Sequence, residues 1–227
     1  MHKEILVPPV FDSGHAKAFF TTKALHCDVH RLAEFLSVPS VNIYMPIQKH
    51  TDKVMVLDDD RRPQVADAVI TGKRGIFIGV QVADCVPVLL FDKKQRVAGA
   101  VHAGWRGTAA SILKKTIETM SERFFCSPQD IIMAIGPAIG GCCYEVGYEV
   151  IESVVRASGE GDYYRTNGGK YCIDLTSANR QQAVSSGVSP EQIWLADECT
   201  FCKPDKYHSY RFTKGTTGRQ CGVIGIV

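Results

Sequence analysis

The longest strongly apolar stretch of this chain, Ile76 to Phe91, is interrupted near its middle by polar residues. Val and Ile are frequent on both sides of the interruption, which is typical of β-strands. The pattern therefore predicts two strands, Ile76–Gln81 and Pro87–Phe91, with Asp84 and Cys85 at a bend or a strand mouth between them. Because the apolar run is broken, it does not read as a membrane span, and it is assigned to a sheet.

Segments of strand and helix character are mixed along the rest of the chain. Helical spacing of apolar residues covers Gly107–Phe125, and further helices are predicted at Val29–Leu36, Gly147–Ala157 and Ser177–Ser186. Further strands are predicted at Val41–Met45, Lys53–Val56, Ala68–Thr71, Arg96–His102, Ile131–Ile135, Ile193–Leu195 and Cys221–Val227. Without regular βαβ alternation, this mixture predicts an α/β fold with a mixed β-sheet flanked by helices.

The length of 227 residues suits one large domain spanning residues 1–227, or two small ones. Gly, Asp and Asn accumulate between residues 157 and 170, which is typical of a flexible loop. The chain after this segment is too short to form a separate core. We therefore interpret the segment as a loop within a single domain.

The charge balance limits the partners of the protein. With 26 basic and 24 acidic residues, the formal net charge is +2, which predicts no binding to nucleic acid or to an anionic membrane. This balance therefore favours a small-molecule substrate. The N-terminus lacks the apolar core of a signal peptide, so a cytoplasmic protein is expected. The nine cysteines are odd in number and scattered, and they are expected to be reduced thiols that mostly fill the core.

Three side chains that can bind a metal ion lie at the ends of predicted strands: His50, Cys85 and His102. One thiolate and two imidazoles make a credible zinc set, and they leave the fourth tetrahedral position for water, as in catalytic zinc sites. Each residue also has an ordinary interpretation, as a loop histidine, a buried thiol and a histidine hydrogen-bonded at a strand end. Their separations match no short metal motif, so spacing alone leaves both interpretations open.

Two arginines are candidates for binding an anion. Arg106 lies in the turn Ala-Gly-Trp-Arg-Gly after His102, where backbone N–H groups near a helix start would suit an anion. Arg211 ends the sequence Tyr-His-Ser-Tyr-Arg and precedes a glycine-rich segment, and a guanidinium binds phosphate or carboxylate bidentately. The alternative for this tail is a solvated hairpin in which Tyr207–Phe212 forms one strand.

Two cysteine pairs suggest further possibilities. Cys199 and Cys202 form a CxxC, and Cys142 and Cys143 are adjacent, so a structural zinc ribbon or a dithiol redox centre is conceivable. A structural zinc site needs four closed ligands, and a second CxxC is absent from the sequence. Buried or incidental thiols remain the default interpretation.

At these residues the sequence resembles the YfiH-type family, whose members are variously called multicopper polyphenol oxidase, laccase-domain protein, peptidoglycan editing factor and purine nucleoside phosphorylase. The resemblance runs from about Val41 to Val227. It rests on QKHTDKV, ADCVPVLLFD, VHAGWRGT, IGPAIGGCCYEVGYEV and DECTFC, followed by YHSYR and TGRQ. Several long motifs in one order make the resemblance specific.

The resemblance implies a single α/β domain with a zinc ion held by Cys85, His102 and His50, with Cu²⁺ as the alternative metal. It implies phosphorolysis of adenosine, inosine and methylthioadenosine, together with deamination of adenosine. The partners would be a nucleoside and phosphate, and the oligomeric state stays open. Zinc supports deamination because it activates water for attack on the purine at C6.

Within the same resemblance, Arg106 and Arg211 are the candidates for binding phosphate, and Asp84 would orient a ligand or move protons. Two departures from the family pattern stand out. The family's Thr-Arg-x-Gly-Gly-Val-Ser segment is replaced by residues 19–31, with Lys23 where arginine is expected. Thr51 also replaces the glycine that follows the first histidine ligand.

Three other functions compete with the nucleoside enzyme. Cys85 could act as a nucleophile with His102 as its base, in an amide hydrolase that edits peptidoglycan precursors. A polyphenol oxidase is disfavoured, because the seven histidines include no His-x-His pair of the kind that multicopper centres use. A non-enzymatic binding protein is the third alternative, since one fold hosts many functions.

Overall fold

Two β-sheets pack face to face, and helices cover both of their outer faces. The computed structural model describes residues 4–11, 14–215 and 217–227. In chain order the strands are β1 (Ile5–Leu6), β2 (Ala16–Thr21), β3 (Ile43–Tyr44), β4 (Val54–Val56), β5 (Ala68–Thr71), β6 (Phe77–Val82), β7 (Val86–Asp92), β8 (Val97–Ala103), β9 (Ile131–Ile135), β10 (Glu145–Val146), β11 (Tyr164–Asn167), β12 (Lys170–Ile173), β13 (Ile193–Leu195) and β14 (Gln220–Ile226). The α-helices are α1 (Val29–Leu36), α2 (Trp105–Ala109), α3 (Ile112–Phe124), α4 (Tyr148–Ser158), α5 (Leu175–Ser185) and α6 (Tyr210–Thr213).

The sheets mix parallel and antiparallel pairs. One sheet has the strand order β1-β2-β14-β6-β3, and the other has the order β13-β9-β7-β8-β5-β4. A small third sheet, β10-β12-β11, lies near the start of α4. In the six-stranded sheet β7 and β8 are antiparallel, whereas β4 pairs parallel with β5 and β13 pairs parallel with β9.

Strand β7 lies at the centre of the core. Val88 and Leu90 contact the helical layer on one face, and Leu89 and Phe91 contact the five-stranded sheet on the other. All four side chains are fully buried. Since successive side chains of a strand point to opposite faces, an unbroken apolar run makes a strand that is buried on both sides.

The outer helices cover the remaining faces. Helix α1 packs Leu32 and Leu36 against the five-stranded sheet, and it begins at Asp28, whose side chain accepts the backbone N–H of Arg31 at 2.9 Å. Such a cap satisfies a backbone donor that the first helical turn leaves without a partner. Helix α3 packs on the six-stranded sheet, and α4 and α5 pack against the neighbouring helices within the same apolar cluster.

The structure confirms the predicted mixed α/β fold class and differs from the sequence expectations in detail. The helix expected over Gly107–Phe125 is divided into α2 and α3, because Ser111 adopts a left-handed conformation with φ 59°. The hairpin considered for the tail is wrong: Tyr210–Thr213 forms the short helix α6, which begins where Ser209 accepts the backbone N–H of Phe212.

Within the ranges that the structure describes, none of the helices combines the length and the apolar character that crossing a membrane requires.

Candidate metal centre

Strand pairing brings His50, Cys85 and His102 to one edge of the six-stranded sheet, which we call the site edge. Pro87 lies opposite His102 in the β7–β8 pair, so Cys85, just before β7, lies beside the end of β8. His50 belongs to the loop before β4, which reaches the same edge because β4 pairs with β5 and β5 pairs with β8. The possible ligand atoms of the three residues all lie within 4.8 Å of one another.

The arrangement of these three side chains fits a zinc ion. The Cys85 Sγ lies 3.9 Å from the His50 Nε2, and the two imidazole rings are 4.8 Å apart at 78°. A tetrahedral zinc ion with a Zn–S bond of about 2.3 Å and a Zn–N bond of about 2.05 Å would hold these S and N atoms about 3.6 Å apart. Small side-chain movements would therefore close the site. His50 is exposed, so solvent reaches one side of it.

The loop that carries His50 is held in an unusual conformation. His50 has φ 57°, in the left-handed region that non-glycine residues rarely adopt. The Gln48 side chain fixes the loop to the end of β6, because it accepts the Gln81 N–H at 2.7 Å and donates to the Gln81 carbonyl at 2.8 Å. Backbone strain of this kind persists only where the surroundings impose it, and it concentrates at functional sites.

Asp67, at the start of β5, connects both histidines. Its fully buried carboxylate lies 2.7 Å from the His102 Nδ1, and it accepts the backbone N–H groups of Lys49, His50 and Thr51 at 3.2, 3.0 and 2.7 Å. The Thr51 hydroxyl also donates to it. Because Asp67 binds Nδ1, the His102 Nε2 is left available to a metal ion. Carboxylates in the outer shell of zinc sites orient histidine ligands in the same way.

Without a metal ion, the surroundings of Cys85 and His102 favour a thiolate paired with a protonated imidazole. Burial by itself raises the pKa of Cys85, but hydrogen bonds with His102 and His50 outweigh it and lower the pKa to about 6. Burial lowers the pKa of His102, but Asp67 and Cys85 outweigh it and raise the pKa to about 9. Burial also acts against ionisation of Asp67, yet its hydrogen bonds with His102 and Thr51 hold its pKa well below the usual range. The thiolate of Cys85, the form of cysteine that can bind a metal ion, is thus favoured near neutral pH.

Gly104, the residue before α2, leaves room for the side chains of Cys85 and His50. A Cβ atom at this position would lie 3.0 Å from the Cys85 Sγ and 3.2 Å from the His50 Cδ2. We expect Gly104→Ala to weaken zinc binding about 10-fold to 100-fold, since overpacking costs about 1–3 kcal/mol. Competition with a chromophoric chelator measures the affinity. Gly72→Ala is the matched control, because its Cβ would crowd Phe124 instead, and equal affinities of the two variants would contradict the prediction.

Asp84 has both carboxylate oxygens engaged by the protein. It is buried, with φ 86°. Its Oδ1 accepts the Thr200 hydroxyl at 2.6 Å, and its Oδ2 accepts the backbone N–H of Arg211 at 2.7 Å. Its carbonyl accepts the Ile139 N–H. These contacts hold the backbone immediately before Cys85 and fit an orienting role for Asp84 better than a proton-transfer role.

The two candidate phosphate ligands each pack over an aromatic ring. The Arg211 guanidinium lies 5.0 Å from the centre of the Tyr144 ring and donates to the Glu145 carbonyl, whereas Arg106 lies 4.4 Å over the ring of its neighbour Trp105. Burial raises the pKa of Tyr144 to about 12, with the nearby charge of Cys85 adding to the effect and those of Arg211 and Arg106 opposing it. Both arginines are exposed at this side of the candidate centre.

Sequence reasoning missed Asp67 and Tyr144. A signal for Asp67 was present, since the tetrapeptide Gln-Val-Ala-Asp occurs twice, at residues 64–67 and 81–84, each time just before a strand. Tyr144 lies within one of the motifs that carry the family resemblance. Lys23, at the departure from the family pattern, is tied to the tail instead, because its backbone N–H and its ammonium group donate to the Lys206 and Pro204 carbonyls.

Comparisons with known proteins assign the chain to a family. The family model for multi-copper polyphenol oxidoreductase laccase matches residues 21–227. A protein from Geobacillus stearothermophilus named purine nucleoside phosphorylase YlmD is 33% identical over 208 residues, which cover 86% of this chain and 76% of that protein. Adenosine deaminase RL5, from an unknown prokaryotic organism, is 36% identical over 201 residues, covering 83% of this chain and 76% of that protein.

The fold comparison extends over the whole chain. The crystal structure of YlmD from Geobacillus stearothermophilus matches with a TM-score of 0.92 and 30% sequence identity, and the match covers 100% of this chain and 97% of that one. The sequence motifs, the arrangement of strands and the extent of the family match lead to the same assignment. This chain belongs to the multi-copper polyphenol oxidoreductase laccase family, the family of the YfiH and YlmD proteins.

Proposed function

We propose that this protein is a zinc-dependent enzyme of purine nucleosides. The reactions proposed are phosphorolysis of adenosine, inosine and methylthioadenosine, and deamination of adenosine. The observation that carries the proposal is the convergence of His50, Cys85 and His102 within 4.8 Å at a solvent-accessible edge. The relatives named purine nucleoside phosphorylase and adenosine deaminase supply the substrate class.

The donor set suits zinc better than several copper ions, because His50, His102 and Cys85 make one compact group and the sequence has no His-x-His pair. When bound, zinc would supply Lewis acidity for activating water or a substrate oxygen. Asp67 would hold the His102 ring in the tautomer that presents Nε2, and it would fix the backbone around His50. Asp84 would hold the segment that carries Cys85.

The two exposed arginines, Arg211 and Arg106, fit the phosphorolysis reaction. In that reaction a phosphate oxygen bonds to C1′ of the sugar while the C1′–N9 bond breaks, and the purine takes the electron pair of the broken bond. Arg211 and Arg106 would bind the phosphate and keep it next to the sugar. In deamination, water adds at C6 of the purine and ammonia leaves, so no phosphate is needed.

Metal analysis together with product analysis tests the proposal. The purified protein is assayed with adenosine, with and without phosphate, before and after treatment with a chelator and again after zinc is restored. We expect ribose 1-phosphate and adenine only with phosphate, inosine and ammonia without it, and recovery of both activities with zinc. Full activity of chelated protein that contains no metal would overturn the proposal.

The phosphate site makes a separate prediction for Arg211→Ala. A hydrogen bond to a charged group contributes about 1.5–3 kcal/mol, so kcat/KM for phosphate should fall about 10-fold to 100-fold. Deamination should fall much less, because water replaces phosphate in that reaction. Initial rates at varied phosphate concentration measure the effect, and Arg123→Ala, an exposed arginine at the end of α3, is the control. Equal losses in both reactions would remove Arg211 from phosphate binding.

A second candidate function is the peptidoglycan-precursor amidase. Its support is that Cys85, His102 and Asp67 are arranged like a cysteine-hydrolase triad, with the carboxylate 2.7 Å from the His102 Nδ1. In this reaction the Cys85 sulfur would bond to the amide carbon while the C–N bond breaks and His102 protonates the leaving amine. Water would then hydrolyse the thioester, which releases the carboxylate and restores the thiol. Hydrolysis of muropeptides by metal-free protein that needs Cys85 but tolerates His50→Ala would favour this function, whereas a zinc requirement would exclude it.

A further inference from the structure

A second group of sulfur atoms lies at the same edge of the six-stranded sheet. Cys142 and Cys143 come from one loop and Cys199 and Cys202 from another, and the sulfur atoms of the four residues lie within 4.8 Å of one another. We call this group the four-cysteine cluster. The Cys202 Sγ lies 3.7 Å from the Cys142 Sγ and 3.3 Å from the Cys143 Sγ. The sequence analysis considered a structural zinc ribbon at these cysteines but kept buried or incidental thiols as the default, and the structure brings all four together.

The fold places the two loops side by side. Strands β9 and β13 are parallel neighbours, so the loops that follow them leave the sheet at the same edge. Backbone hydrogen bonds join the loops: the Thr200 N–H donates to the Ala138 carbonyl at 2.9 Å, and the Ala138 N–H donates to the Glu198 carbonyl at 3.4 Å. A vicinal pair and a CxxC thereby contribute two sulfur atoms each, although a second CxxC is absent.

The spacing of the sulfur atoms fits one tetrahedral metal ion. With Zn–S bonds of about 2.3 Å, four sulfur atoms at the corners of a tetrahedron lie about 3.8 Å apart. The Cys202 Sγ lies 3.7 Å from the Cys142 Sγ, near this value, and 3.3 Å from the Cys143 Sγ, somewhat below it. Both separations are well above the S–S bond length of about 2.05 Å in a disulfide. All nine cysteines are free thiols in the structure.

The surroundings of the cluster suit bound thiolates. The Gly140 N–H donates to the Cys199 Sγ at 3.2 Å. A Cβ at Gly140 would lie 3.3 Å from the Cys142 Sγ and 3.7 Å from the Cys199 Sγ, so the glycine lets the backbone approach the sulfur atoms. Arg165 donates to the Gly141 carbonyl next to Cys142, and its positive charge would offset part of the negative charge of a zinc ion with four thiolates.

We propose that Cys142, Cys143, Cys199 and Cys202 bind a structural zinc ion, separate from the centre at His50, Cys85 and His102. Four thiolates fill the coordination sphere and leave no position for a substrate, which distinguishes a structural zinc site from a catalytic one. The ion would join the loops after β9 and β13. These loops also supply the Ile139 N–H and the Thr200 hydroxyl to Asp84, so the second ion would stabilise the wall that holds Cys85.

Zinc content and coordination test the proposal on the full chain purified with a reductant. We expect wild-type protein to hold two zinc ions per chain, and both the Cys85→Ala variant and the Cys142→Ser/Cys202→Ser double variant to hold one. X-ray absorption should show a shell of sulfur alone in the Cys85→Ala variant, with distances of about 2.3 Å. In the double variant it should show a mixed shell of sulfur and nitrogen.

Cys172→Ser is the matched control, because Cys172 lies nearby on β12 but outside the four-cysteine cluster, and it should keep both zinc ions. If the double variant fails to fold, the X-ray absorption spectrum of the Cys85→Ala variant still tests the proposal, because that variant leaves the four-cysteine cluster intact. Nitrogen ligands around its remaining zinc would overturn the proposal. The proposal would also be overturned if the four cysteines of the cluster reacted as free thiols in the purified protein, formed disulfides, or bound iron instead of zinc.

Discussion

Replacing Cys85 with alanine is expected to empty the centre at the site edge and to lower nucleoside turnover by more than 100-fold. The loss of an outer-shell partner already costs about 10-fold to 100-fold in metal affinity or activity, and the loss of the only thiolate in a three-ligand set should exceed it. His50 and His102 alone would leave zinc with two protein ligands, which is fewer than catalytic zinc sites use.

Zinc titration and adenosine turnover of the Cys85→Ala and His50→Ala variants measure this effect. The matched controls are Cys172→Ala and His30→Ala, which remove the same side chains from β12 and from the exposed face of α1. If His50→Ala kept full zinc affinity and activity while Cys85→Ala lost activity, the three-ligand centre would be wrong and the thiol hydrolase would be favoured.

The second large effect is expected for Asp67→Ala, in both stability and metal affinity. Asp67 is fully buried, and its carboxylate takes part in hydrogen bonds with His102, with the hydroxyl of Thr51 and with three backbone N–H groups of the His50 loop. Removing one partner of a buried charged pair costs about 3–5 kcal/mol, because the His102 ring stays buried without its acceptor. Zinc affinity should fall about 10-fold to 100-fold, since both histidines lose their support.

Urea unfolding of the chelated protein and zinc titration separate these two consequences. Asp67→Asn keeps the shape and one acceptor oxygen, so it should recover part of the stability but less of the metal affinity. Asp58→Ala, at an exposed position, should change stability by no more than about 0.5 kcal/mol. An Asp67→Ala variant as stable as Asp58→Ala would show that the hydrogen bonds around His50 contribute little.

Local sequence signals predicted much of the sheet and the helices. The strands at Ala68–Thr71, Ile131–Ile135 and Ile193–Leu195 and the helix at Val29–Leu36 have the predicted bounds. Apolar runs and helical periodicity carry that information, because they describe which faces are buried. Strand β2 was missed, and Ser111 broke a helix at a position where periodicity gives no warning.

The candidate centre was predicted only in part, for a different reason. His50, Cys85 and His102 are residue types with an evident chemistry at strand ends, so they could be named from the sequence. Asp67 and the four-cysteine cluster depend on which strands are neighbours, and strand order comes from long-range pairing that local patterns do not contain. The parallel pairing of β9 and β13 alone turns two unrelated cysteine pairs into one group.

The tight turn between β7 and β8 is a suitable place for attaching a label or a tag. Residues 93–96 are exposed at the end of the two strands opposite to Cys85 and His102. Strands of seven residues span about 20 Å, so a fluorophore or an immobilisation tag inserted there would stand well clear of incoming small molecules. Binding of small molecules could then be followed on a sensor surface, with the site edge facing the solution.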